Sequence, residues 1–201
     1  MKQKQREVRK TLLAVGEGDT DEAFLNHLRS LYCSGGAGVR VTVRNAHGGD
    51  PENIVNTARQ DPGGYDQRIV LLDTDIPWPK NLQNEAARDD NIEMIGSHPC
   101  HEGLLLSILG KNPPNRSEGC KKMIQKKLPG IDLTEKQNYA RNFPKLVLDD
   151  ARTRISELNK LLKFFEGLGF PNRSRGSKSG GRIPLASSAE TFTQPPHPQP
   201  P

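Results

Sequence analysis

The chain has 201 residues, 33% hydrophobic and 26% charged, with 29 Lys and Arg against 24 Asp and Glu. That is enough apolar residue for one domain of about 160 residues with polar ends, and no membrane association is expected. Three cysteines without paired spacing, Cys33, Cys100 and Cys120, argue against a disulfide scaffold and for a reduced, cytoplasmic setting.

Residues 1–10 form a basic arm, with five Lys or Arg against Glu7 and no apolar run, so neither a signal peptide nor a membrane anchor is expected. Thr11-Leu12-Leu13-Ala14-Val15 reads as a short buried strand that runs into Gly16-Glu17-Gly18-Asp19-Thr20-Asp21. The glycines permit a tight turn that displays Glu17. Asp19 or Thr20 can cap the next helix, marked by Ala23, Phe24, Leu28, Leu31 and Tyr32. There is no Gly-x-x-x-x-Gly-Lys, so this turn is not a phosphate-binding loop. Val39-Arg40-Val41-Thr42-Val43 alternates apolar with polar and predicts a strand near a sheet edge. Asp50 and Pro51 read as the cap and first position of a helix that turns Ile54, Val55 and Ala58 to the sheet.

Arg68-Ile69-Val70-Leu71-Leu72 predicts a strand buried on both faces, as in parallel sheets. It ends in Asp73-Thr74-Asp75. In a strand, residues i and i+2 point the same way, about 7 Å apart. Open α/β sheets bind ligands at the carboxyl ends of their strands. Two carboxylates held there repel unless a cation offsets them, and Mg²⁺ or Mn²⁺ suits such oxygen ligands. Taken alone, the pair also fits a solvated strand exit. Beyond it, Trp78 reads as packing over the site mouth or on the domain surface, 81–90 as a polar surface helix, and Ile92-Glu93-Met94-Ile95 as a fourth strand. His98, Cys100 and His101 invite a zinc reading, but three ligands in four residues do not match finger spacing. Glu102 opens an apolar helix, where an acid also suits the helix dipole.

These three blocks, in this order, resemble the Toprim domain of topoisomerases, primases and OLD-type nucleases, and within it the RloB-like family. The blocks are Glu17-Gly18-Asp19-Thr20-Asp21, Asp73-Thr74-Asp75 and Pro99-Cys100-His101-Glu102-Gly103-Leu104. The resemblance covers about residues 11 to 110. It implies a three-layer, Rossmann-like α/β fold with a mainly parallel sheet and a C-terminal helical extension. It further implies catalytic roles for Glu17, Asp73, Asp75 and Glu102, and a Mg²⁺ or Mn²⁺ site made by Glu17, Asp21, Asp73 and Asp75. The departures from the family pattern are these: Asp21 replaces a Glu, His101 an aromatic residue, and Leu105 a Trp. Ile131-Asp132-Leu133 stands where a Tyr-x-Lys is expected.

Residues 111–170 read as a basic helical extension packed on the 11–110 core. Lys121, Lys122 and Lys126 are candidate phosphate contacts, although solvation alone also explains such a run. Residues 140–168 carry apolar spacing for one long amphipathic helix. Residues 171–201 are basic and Pro-rich, with too few apolar residues to offset ordering entropy, so a disordered tail is expected. The net positive charge sits in the two ends, +4 and +3, and leaves 20 basic and 22 acidic residues in 11–170. Basic arms beside a carboxylate site suit nucleic acid; they also aid solubility. The function expected is a metal-dependent nuclease acting on DNA or RNA. By resemblance, its setting is prokaryotic defence against phage or foreign DNA, with an ATPase encoded nearby as partner. The alternatives are a non-catalytic nucleic-acid-binding module and an aspartyl phosphotransferase or phosphatase built on Asp73.

Overall fold

The computed structural model describes residues 10–33, 38–88 and 91–170. Nearly all of the basic N-terminal arm and the whole of the expected disordered tail lie outside the described residues.

Four short apolar runs become four parallel strands: β1 (Lys10–Gly16), β2 (Val39–Asn45), β3 (Gln67–Asp73) and β4 (Ile92–Ser97). Their order is β2-β1-β3-β4. β2, whose alternation predicts an edge, is an edge strand, while β1 and β3, nearly continuous in apolar residues, are central and buried on both faces. The connecting helices are α1 (Asp19–Tyr32), α2 (Pro51–Gln60), α3 (Lys80–Arg88) and α4 (His101–Ile108), followed by α5 (Ser117–Lys127), α6 (Lys136–Asn142), α7 (Lys145–Ala151) and α8 (Ser156–Phe165).

Alternate residues of the sheet feed two separate cores. Leu13, Val15, Val70 and Leu72 point to one face, against Ile54, Val55 and Ala58 of α2 and Leu82 and Ala86 of α3. Leu12, Ala14, Ile69 and Leu71 point to the other, where Phe24 and Leu28 of α1 meet α4 and the helices of the extension. The result is a three-layer, Rossmann-like α/β fold in which residues 111–170 thicken one layer. β1 leads outward to β2, and the chain then returns across β1 to β3, so the strand order reverses between β1 and β3. That reversal leaves a crevice at the carboxyl ends, where ligands bind in folds of this kind. The register sets Gly16 opposite Leu71, so the residues just beyond, Glu17 and Asp73, share the mouth of the crevice.

Local chemistry explains most boundaries. Asp50 accepts from the Asn53 N–H (2.8 Å) with Pro51 at the first helical position. The α1 cap is Gly18, not Asp19 or Thr20: both of those are already helical, and the Gly18 N–H donates to Asp21 Oδ2 (3.2 Å). Gly16 is required by close approach, since a Cβ there would lie 2.6 Å from Asp21 Cβ.

The single long helix expected over 140–168 is broken into the end of α6, α7 and α8. Pro144 has no N–H to continue α6. After α7, the Thr153 hydroxyl donates to the Asp150 carbonyl (2.7 Å), the local bond with which Thr competes against helix. The Arg152 guanidinium then grips Glu166 through two bonds (2.6 and 2.8 Å) and ties the end of α7 to the end of α8. The apolar spacing survives the breaks because all three pieces face the same core. Arg152→Ala should therefore cost about 1.5–3 kcal/mol, the range for hydrogen bonds to charged groups. Urea unfolding followed by far-UV circular dichroism measures this; an unchanged midpoint would show that the clamp does not hold the turn.

Candidate functional site at the β1–β3 switch point

Glu17 follows β1 directly. Its carboxylate turns across the crevice and accepts the Asp73 N–H at Oε2 (3.2 Å), while its own carbonyl accepts from Gly48 N (2.7 Å). Asp73 is the last residue of β3. Asp75 lies past the strand end, so strand alternation does not place it. Instead, the N–H groups of Thr74 and Asp75 both donate to the Pro99 carbonyl (2.9 and 3.0 Å), which ties the second block to the third. The Asp75 carboxylate accepts from Ser117 Oγ of α5 (2.5 Å). Glu17, Asp73 and Asp75 together line one small cavity of about 10 Å³, with Gly49, Pro51 and Ile76 among its walls. That is room for about one water-sized ligand.

The carboxyl groups load one another with charge. Burial pushes the Asp73 carboxyl up to about 7, and the charges of Asp21, Glu17 and Asp75 push the same way while His101 opposes them. Burial likewise raises Glu17, with Asp21 and Asp75 adding to the rise, and the Asp73 N–H and Lys121 working against it.

Asp21 is not at the cavity. It is 5% exposed and belongs to a buried network with His101, the first residue of α4. The His101 N–H donates to Asp73 Oδ1 (2.8 Å). Its ring Nδ1 lies 2.9 Å from Asp21 Oδ1, off the line of a well-formed hydrogen bond and so an ion pair in character. Its Nε2 lies 3.1 Å from the Tyr139 hydroxyl, which donates to the Thr20 carbonyl (3.0 Å). Tyr139 has thus committed its proton and must accept from Nε2–H, while a lone pair on Nδ1 would face a carboxylate. Protons on both nitrogens satisfy these contacts, so the geometry favours the imidazolium. Burial alone would lower its pKa, but the neighbouring Asp21 carboxylate reverses that and raises it. Phe24 packs edge-on against the ring (5.3 Å), and His27, held neutral by burial, stacks on Tyr139 (5.9 Å).

The other expected residues divide. Glu102 and Lys121 line a separate cavity of about 310 Å³ with Leu128 and Leu133, beside the carboxylates rather than among them. Lys121 is close enough to pull Glu17 down. Lys122 points to solvent and pairs with Glu118 (2.5 Å), and Lys126 is likewise exposed. The zinc candidates diverge: His98 is exposed beside Thr74, Cys100 is buried, and His101 is spoken for. Trp78 is half-buried, and its Nε1–H donates to the Asp73 carbonyl (2.9 Å). Neither that bond nor the role of Tyr139 has a local signal in the sequence.

Among the described residues no three His, Cys, Asp or Glu side chains already form a cage for a metal ion. Mg²⁺ does not need one: it keeps most of its waters and is held by one or two carboxylates plus substrate phosphate. The hard oxygen donors and the excess negative charge of Glu17, Asp73 and Asp75 fit that mode. Among the described residues no helix is long and apolar enough to cross a membrane. No protein-family model, curated protein or solved structure matches the chain.

Two outcomes test the electrostatics. The folded chain holds the Asp73 proton more tightly than the usual 3.8 of an unfolded Asp. Stability from this group is therefore complete below about pH 4 and is lost as pH rises through 7. Asp73→Asn keeps Oδ1 for His101 and removes that loss, so in metal-free buffer it should melt higher than wild type at pH 8 and equally at pH 4. Equal melting at both would show that Asp73 carries no such strain. In the second outcome, His101→Phe strands Asp21 as a buried charge and should cost about 3–5 kcal/mol. Adding Asp21→Asn should recover a large part. Additive losses in denaturant titrations would refute the ion pair.

Proposed function

We propose that this chain is a metal-dependent nuclease of the Toprim type, cleaving phosphodiester bonds in DNA or RNA. The observation that carries the reading is the meeting of Glu17, Asp73 and Asp75 around one cavity at the reversal of strand order. It is supported by the order of the three acidic blocks along the chain, and by the burial and neighbouring charge that together raise the Asp73 carboxyl to about 7.

In this reading Asp73 and Asp75 hold Mg²⁺ or Mn²⁺, which when bound supplies charge stabilisation to the phosphoryl oxygen and a water of lowered pKa. Glu17, whose carboxyl burial has raised toward working pH, takes the proton from the attacking water. His101 holds Asp73 through its backbone N–H and keeps the carboxylate aimed, acting as a positioning residue. Lys121 stands near enough to offset charge on the phosphate. Asp21 contributes to His101 rather than to the metal. The family resemblance adds the setting of prokaryotic defence against phage or foreign DNA beside a partner ATPase. One observation favours a second reading, a binding module without catalysis: the commitment of Asp21 to His101 leaves fewer carboxylates for metal than the family pattern implies.

Cleavage of plasmid, single-stranded DNA and RNA under Mg²⁺ and Mn²⁺ decides between them. Asp73→Asn and Glu17→Gln should each lower the rate by about 10²-fold or more, the scale of a lost electrostatic contact to a transition state. Asp73→Asn should bind nucleic acid as well as wild type or better. Wild type that binds but never cleaves, with the partner ATPase also supplied, would leave the binding module.

A further inference from the structure

A third cavity, of about 600 Å³, opens on the outer side of β4 and is lined by Thr74, Trp78, Met94, Gly96, His98 and Lys160, among others. Its contents follow from the sheet. Among the described residues β4 pairs only with β3 and is an edge strand. Asn91 and Ser97 give their carbonyls to Arg68 and Thr74 of the β3 side. In a parallel strand alternate residues bond to the same neighbour. Met94 and Gly96 therefore turn their N–H and C=O groups outward, into the cavity. The indole of Trp78 closes one side. A Cβ at Gly96 would stand 2.7 Å from Thr74 Cγ2 and 3.3 Å from the indole, so only glycine leaves strand edge and ring in one space. Trp78 is fixed from behind by its bond to the Asp73 carbonyl, and Thr74 and His98 hold each other across the floor (3.0 Å). The cavity thus begins one residue from the site carboxylate.

We propose that this cavity is a nucleobase subsite, in which a base lies on the Trp78 indole and its edge pairs with the main chain of Met94 and Gly96. An aromatic ring beside an alternating row of main-chain donors and acceptors is what a base, with a π-face and a hydrogen-bonding edge, can satisfy at once. A phosphate is disfavoured: the one lysine of the wall, Lys160, is engaged with Glu93, and Glu157 adds a negative charge. An added β-strand is disfavoured because α8 packs against β4 and leaves a pocket rather than a long open edge. As a part of catalysis the subsite rests on the nuclease reading, in which it would seat the base next to the scissile phosphate; binding itself does not.

Trp78 is the only tryptophan of the chain, so the intrinsic tryptophan fluorescence comes from the wall of this cavity. With EDTA present, adenosine and the other nucleosides are titrated against the full chain, with ribose 5-phosphate and a short alternating-strand peptide as controls. Saturable quenching by nucleosides, without quenching by either control, is expected. Gly96→Ala, shown folded by circular dichroism, should weaken it about tenfold, as loss of a base–aromatic stack does. The wild-type titration decides without the variant. No quenching by any nucleoside, equal quenching by ribose 5-phosphate, or quenching by the peptide alone would each overturn the subsite. If nucleosides quench and no substrate is ever cleaved, the nuclease reading fails and the subsite stands; cleavage without quenching means the reverse.

Discussion

Carboxylates gather where β1 and β3 end side by side, and the buried ring of His101, paired with Asp21, makes the gathering tolerable. Its ring faces Asp21 and its backbone N–H holds Asp73, so a single residue offsets charge in two places. Its place in turn depends on the rest of the fold. The Pro99 carbonyl fixes the third block to the loop after β3, α4 begins at the ring itself, and Tyr139 of α6 accepts the far nitrogen. A buried charge held by fewer contacts would be expelled or neutralised. The extension 111–170 is thus part of the site's support through Tyr139, and through Ser117, whose hydroxyl donates to Asp75.

The two faces of β3 carry different chemistry. Asp73 turns toward the acidic crevice with Glu17. Thr74, the next residue, turns with Trp78 and His98 toward the cavity beside β4. One strand end therefore separates a charged, water-sized pocket from a larger aromatic one. The bond from Trp78 Nε1 to the Asp73 carbonyl couples their positions, so a displacement of the indole would be felt at the carboxylate.

Much of the fold was legible because it is written at short range. Four apolar runs of strand length, Asp50-Pro51 as a helix start, and polar edges on β2 all carry local signals, and each lies where the pattern puts it. The convergence of Glu17 with Asp73 could be anticipated too, since both follow central strands of a parallel sheet. What failed were statements that need an answer from elsewhere in the chain. The long helix over 140–168 failed because apolar spacing records which face is buried, and three short helices on one core share it. Asp21 was expected among the metal ligands because it sits in the acidic block. The structure turns it inward to a histidine eighty residues away.

The sequence by itself determined the class of fold, the strand ends that carry acids, and the types of ligand those acids suit. Hydrophobic period and turn chemistry act between residues a few positions apart, so they can be read along the chain. The tertiary structure alone decided which acid faces the cavity and which is buried, that His101 pairs with Asp21, and that Trp78 stands behind Asp73. Those are matters of desolvation and pairing. They depend on distances between groups whose separation along the chain is long, and only strand order and helix packing set such distances.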